Sequence, residues 1–117
     1  MAPAGWIQVT RADQAIELID RGQVVELSLD HDLGDDDGAG RGVDVVDFLA
    51  EQQVTRGRCL WPRDGITLHT ANPYGRDAMR RTILRYAAQV HSVTESLSPG
   101  GHPVFQFGQL VRERPRG

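Results

Sequence analysis

The sequence predicts an α/β fold: a three-layer α/β/α domain whose mainly parallel sheet is covered on both faces, with a C-terminal strand added at an edge. Three observations predict it. Short β-branched and apolar runs alternate with amphipathic helical stretches in the order strand, helix, strand, helix, strand, helix, strand. Glycine and proline clusters mark most of the changes between them. The 117 residues suit a single core, since domains commonly run to about 100–150 residues. The expectation is one domain over residues 1–111 and a frayed Arg/Pro tail at 112–117.

Each element has a local reason. Residues 6–9 are apolar and β-prone, and Thr10 with Asp13 makes a helix start: a hydroxyl for the free N–H groups and an acid in the first turn. Ala12, Ala15, Ile16 and Ile19 then form one stripe at i, i+3, i+4 and i+7, and Gly22 supplies the stop. VVELSLD at 24–30 reads as a buried strand ending on an acid. GDDDGAGRG at 34–42 is a loop, because four glycines and three adjacent aspartates disfavour regular structure. A second helix is expected from Val43 to about Gln52, with Val45, Val46, Phe48 and Leu49 facing the core. A strand follows at 66–69, and Pro73 drives Asn72 away from helical angles. The third helix is expected over about 76–90. After the turn at Pro99-Gly100-Gly101, VFQFGQLV at 104–111 alternates as an edge strand interrupted at Gly108.

Composition narrows the chemistry. All 13 basic residues are arginine, and there is no lysine. Schiff-base chemistry on a side-chain amine, a lysine general base and a GxxxxGK[ST] phosphate loop are thereby excluded. Residues 1–50 carry 11 acids against 3 arginines, a net −8, and residues 51–117 carry 5 against 10, a net +5. Cys59 is the only cysteine, so neither an intrachain disulfide nor a cysteine zinc cage can form; it reads as a packed small hydrophobe, and a cytoplasmic setting is expected. No run of about 20 apolar residues suggests a membrane span.

The chemistry gathers at two strand ends. Ser28-Leu29-Asp30-His31-Asp32-Leu33-Gly34 places carboxylate, imidazole and carboxylate in succession, and Leu68-His69-Thr70-Ala71-Asn72-Pro73-Tyr74-Gly75 adds an imidazole, a hydroxyl and an amide. Ligands in such sheets bind at the carboxyl ends of strands. If the two strands are neighbours, His31 and His69 face a common pocket, and paired imidazoles suit phosphoryl chemistry in which one removes a proton and the other donates one. A histidine at a strand end also serves as a structural hydrogen-bonding residue, and spacing alone does not decide between the two.

LSLDHDLG, the glycine-rich acidic insert, GVDVVDFL and ITLHTANPYGRDAM occur in that order and resemble the cyclic-phosphate-processing receiver domain family, over most of residues 5–88. PAGW at 3–6 resembles the stretch after that family's first strand. The resemblance implies a receiver-like (flavodoxin-like) fold, a variant of the response-regulator receiver, and action on cyclic phosphate ends of RNA in repair or conflict systems. Asp30 matches the acidic position at the end of the central strand, His31, Asp32, His69 and Asn72 match features of the cyclic-phosphate branch, and Thr70 matches the small hydroxyl residue after the fourth strand. The absent lysine disfavours aspartyl-phosphate signalling.

The expectation is a phosphoesterase that hydrolyses a 2′,3′-cyclic phosphate at an RNA end or on a nucleotide, with His31, His69, Asp30 and Asp32 as catalytic residues and Thr70, Asn72 and Arg76 as phosphate-binding residues. Asp30 and Asp32 would be the ligands of any Mg or Mn ion. The alternative is a non-catalytic receiver-like module that binds a ligand or a protein through the same pocket. The family opens with a strand ending in LDD, and this sequence starts just after it. An upstream start is one explanation; otherwise 104–111 fills the slot beside the strand ending at Asp30, or a second copy lends a strand in a homodimer.

Asp35-Asp36-Asp37 is a solvated acidic run before it is a cation site, and Gly38, Gly40 and Gly42 lack the strand-to-helix turn of a nucleotide loop. Arg76, Arg80, Arg81 and Arg85 form a solvated helix face that pairs with the acidic half of the chain. Arg76 has the sharper reading, since free N–H groups and the helix dipole at that helix start favour a phosphate. Tyr74 either stacks on a base or covers the turn, and His91 and His102 are expected at the surface without partners.

Overall fold

The computed structural model describes residues 5–7, 9, 11–29, 42–70 and 72–110. Helix α1 spans Ala12–Asp20 and buries Ala12, Ala15 and Ile19 of the expected stripe, with Ile16 half-buried. Its N-cap is Arg11, at extended angles and without a side-chain cap, and the Arg11 guanidinium 3.1 Å from Asp13 holds that carboxyl below its usual range. Thr10 lies outside the described residues. The expected stop holds: Gly22 takes φ +73° and its N–H returns to the Ile19 carbonyl at 2.8 Å.

Strand β1 is Leu27–Leu29, α2 is Gly42–Arg56 and β2 is Ile66–Leu68. Helix α2 runs four residues past the expected end, until Gly57 turns the chain at φ +63°. Helix α3, Pro73–Tyr86, starts three residues early because Pro73 occupies the first turn, where its missing N–H costs nothing. It passes through a 3₁₀ turn, Ala87–Gln89, into β3, His91–Leu97, which the sequence reading did not foresee. Strand β4 is Pro103–Gln109. Among the described residues in 5–9 there is no strand.

The sheet order is β1-β2-β4-β3. Only β1 and β2 are parallel; β2–β4 and β4–β3 are antiparallel. The expectation of a mainly parallel sheet is therefore corrected to a mixed one. The C-terminal strand is not the edge: β4 pairs on the far side of β2 from β1, and β3 lies outside it. It is not interrupted at Gly108 and does not fill the slot beside β1.

The two sheet faces differ. Leu27, Leu29, Ile66, Leu68 and Phe105 share one face and one core with Ile19 of α1, Val45, Val46 and Leu49 of α2, and Met79 and Ile83 of α3. The other face carries Ser28, Thr67, Val104, Gln106, Ser92, Thr94 and Ser96 by the period of two, and none of these is buried. All three helices bury their apolar sides in the same core, so the described residues form two layers, not the expected three. A one-sided sheet with a polar open face is the ordinary antiparallel solution.

The β2–β4 pairing depends on Gly65. It sits at φ +108°, and a Cβ there would collide with the Phe105 carbonyl oxygen. Its own N–H donates to Pro62 O at 3.0 Å, and its carbonyl accepts from Leu27 N at 3.0 Å, so one residue touches three segments. Gly65→Ala combines left-handed strain with a backbone clash and is expected to cost at least about 2 kcal/mol. Phe105→Ala, a cavity at a fully buried site, is expected to cost about 3–5 kcal/mol. Urea unfolding of the two variants checks both; a Gly65→Ala midpoint equal to wild type would refute the role given to that close approach.

Candidate functional site

The parallel register Leu29↔Leu68 ends β1 and β2 side by side. The His69 N–H donates to Leu29 O at 2.8 Å, which fixes the chain as it leaves β2. The His69 ring is exposed. Asp30, His31 and Asp32, the first three residues after β1, lie outside the described residues, as do Asp35, Asp36 and Asp37. The described half of the site is the turn from His69 into α3.

That turn is held by side chains. Thr70 Oγ1 accepts the Asn72 N–H at 3.0 Å. Asn72, at φ −80° and ψ 108°, is the N-cap, and its Oδ1 accepts the N–H groups of Tyr74 at 3.0 Å and Gly75 at 3.2 Å. The Arg76 N–H closes onto Asn72 O at 3.0 Å, and Pro73 has none. Every backbone donor of the first turn is thus taken within the turn. The expectation that free N–H groups here would hold a phosphate is corrected: what α3 offers is its dipole, the Arg76 guanidinium, the Thr70 hydroxyl proton and the Asn72 side-chain N–H groups.

Arg76 is half-buried, and no carboxylate among the described residues pairs with it. Its neighbours are committed elsewhere. Arg80 grips Glu95 of β3 through Nε at 2.7 Å and Nη2 at 3.0 Å, which pushes its pKa further up, and Arg81 pairs with Asp77 of its own helix at 3.3 Å. Arg85 lies over the Tyr86 ring at 5.3 Å. Contrary to expectation, none of these three ion-pairs with the acidic first half among the described residues; the cation that does is Arg58, 2.6 Å from Asp20. Tyr74 is 85% exposed, so it does not cover the turn.

Two histidines expected to stand alone have partners. His102 lies against His69, ring centroids 4.4 Å apart and planes tilted by 53°. His91 Nε2 is 3.1 Å from Cys59 Sγ, and its Nδ1 is 3.1 Å from Gly108 O. Cys59 is exposed, not packed as expected. His102 was missed because its partner is 33 residues away and meets it only through the β2–β4 pairing. The usable signal was the alternation of residues 91–97, which announces a hairpin about Pro99-Gly100-Gly101.

No three His, Cys, Asp or Glu side chains among the described residues gather to hold a metal ion. Two surface clefts, about 410 Å³ between α1 and α2 and about 650 Å³ between α2 and α3, lie away from residues 69–76.

Comparison with protein families matches a model described as the cyclic-phosphate processing receiver domain, over residues 1–85. The chain belongs to that family. The match spans α1 to α3 and includes both strand ends. The β3–β4 hairpin lies outside the matched residues. Searches of curated proteins and of solved structures gave no match. Among the described residues no helix of this receiver domain is long and apolar enough to cross a membrane.

The cap makes Asn72 a stability residue whatever else it does. Asn72→Ala is expected to cost about 1 kcal/mol, and Asn72→Asp to keep most of the cap. Thermal unfolding of the two variants checks this; equal losses in both would show that the capping oxygen is not what Asn72 contributes.

Proposed function

We propose that this receiver domain hydrolyses a cyclic phosphate, most specifically a 2′,3′-cyclic phosphate at an RNA end or on a nucleotide. The observation that carries the reading is His69: an exposed imidazole at the carboxyl end of β2, beside the end of β1, immediately before a capped helix start bearing Arg76, which no carboxylate among the described residues pairs. Family membership supplies the class of chemistry, and this arrangement supplies groups suited to it. In hydrolysis a water oxygen attacks phosphorus, the bond to one ribose oxygen breaks, and a proton passes from the water to a base while an acid protonates the departing oxygen. An imidazole performs either transfer near neutral pH.

In the proposed assignment His31 and His69 divide the two proton transfers, and Asp30 or Asp32 orients an imidazole. Thr70, Asn72 and Arg76 hold phosphate oxygens where charge develops. Asn72 does so through its side-chain N–H groups, since its carbonyl oxygen is the cap. Asp30 and Asp32 are the proposed ligands of any Mg or Mn ion. The described residues do not form a cation site, and the steps above use side chains alone.

Turnover of a nucleoside 2′,3′-cyclic phosphate to a monophosphate, followed by ³¹P NMR, tests the reading. His69→Gln is expected to lower kcat by about 10²–10⁴-fold, the usual worth of a positioned acid or base. Ligand binding without any turnover by the wild type, with and without Mg or Mn, would leave the binding-module reading in its place.

A further inference from the structure

We infer that His102 is a second phosphate-contacting imidazole of this site, supplied by the β3–β4 hairpin; the inference rests on the proposed cyclic-phosphate reading. The residue lies outside the family match, and the fold brings it in by register. β2 and β4 pair Ile66 with Phe105 and Thr67 with Val104. Carried two residues further, the same register sets His69 opposite His102. Both then project from the polar face of the sheet, the side on which Thr67 and Val104 lie.

The seat of His102 is held in place. Its N–H donates to Ser98 Oγ at 3.1 Å, and its carbonyl accepts from Ser98 N at 2.8 Å. The Gly101 N–H closes the turn onto Ser98 O at 2.8 Å, with Gly101 at φ +81°. The ring folds back over Gly100, where a Cβ would come within 3.2 Å of its Cδ2 and 3.4 Å of its Nε2. This leaves the ring against His69 with their centroids 4.4 Å apart.

Two imidazoles in contact need a reason. Neither ring is in an ion pair with a carboxylate among the described residues, so none of those carboxylates offsets the repulsion that arises when both carry a proton. A phosphate does. Rings this close leave no room for a phosphate between them, so it meets their solvent-facing edges together. With one ring on each of two oxygens, His102 donates to a non-bridging oxygen, which gains negative charge as water adds, while His69 remains free for proton transfer.

The test separates ring packing from phosphate contact. His102→Phe keeps an aromatic ring against His69 and removes both nitrogens; His102→Gln keeps a polar group and serves if the Phe variant does not fold. Inorganic phosphate is titrated into the wild type and the variants while the imidazole C2–H resonances are followed by NMR. In the wild type the His69 and His102 signals should both move, and the variants should bind phosphate about tenfold or more weakly, the worth of a hydrogen bond to a charged group. Phosphate that leaves His102 unmoved, or binds the variants as it binds the wild type, overturns the inference. Turnover distinguishes the two proposals: a wild type that binds phosphate through His102 yet turns over no cyclic phosphate refutes the hydrolysis reading alone. Turnover that survives with unchanged phosphate affinity in His102→Phe refutes this inference alone.

Discussion

The antiparallel contact between β2 and β4 is the constraint on which the rest of the molecule depends. It is the backbone junction between the family-like part of the chain and the C-terminal hairpin, and it needs Gly65, whose hydrogen in place of a side chain lets the Phe105 carbonyl approach. From that pairing follow the burial of Phe105 in the core, the inner position of β4 and the outer position of β3. The hairpin then covers the far end of the core. Phe107 meets the buried Trp61 at 5.8 Å between ring centroids, and Trp61 Nε1 is satisfied by Gln53 Oε1 at 2.7 Å. Gln53 in turn donates to the Tyr86 carbonyl at the end of α3, so α2, α3 and the loop beneath the hairpin share one polar relay.

The same pairing decides what the site can offer. A helix N-terminus is commonly treated as a ready anion site because its first N–H groups lack partners. Here Pro73 removes one donor and Asn72 takes the others through Oδ1 and its carbonyl. The turn gains rigidity and gives up its backbone donors. The proposed phosphate contacts therefore fall to side chains: Thr70, Asn72, Arg76 and the His69–His102 pair. The Arg76 guanidinium suits that task, because hydrogen bonds from charged donors are about twice as strong as neutral ones.

What was legible in the sequence was local. The Ala12, Ala15, Ile19 stripe, the stop at Gly22, the extended Asn72 and the turn at Pro99-Gly100-Gly101 were all readable, because each is set by a period or a backbone preference within a few residues. The HTANP block also placed His69, Thr70 and Asn72 correctly at a strand end. Pairing was not legible. Whether 104–111 runs beside β1 or β2, parallel or antiparallel, depends on contacts between residues some 40 apart, and alternation reports only that one face is buried. Residues 91–97 carry no element in the sequence reading, although His91, Val93, Glu95 and Leu97 alternate with serine and threonine as a strand with one polar face does.

That alternation also accounts for the departure from a three-layer fold. A sheet covered on both faces needs strands that are apolar throughout, and LSL, ITL and the 92–96 segment each place Ser or Thr toward the open side. The polar face is therefore written into three separate strands and is not left over from their packing. Its consequence is functional. A helix on that side would bury the edge where His69 and His102 meet, whereas an open face leaves His69 exposed and His102 half-buried. Charge follows the same order along the sequence: β1 runs into the Asp30-His31-Asp32 segment of the −8 half, and β2 into the His69–Arg76 turn of the +5 half.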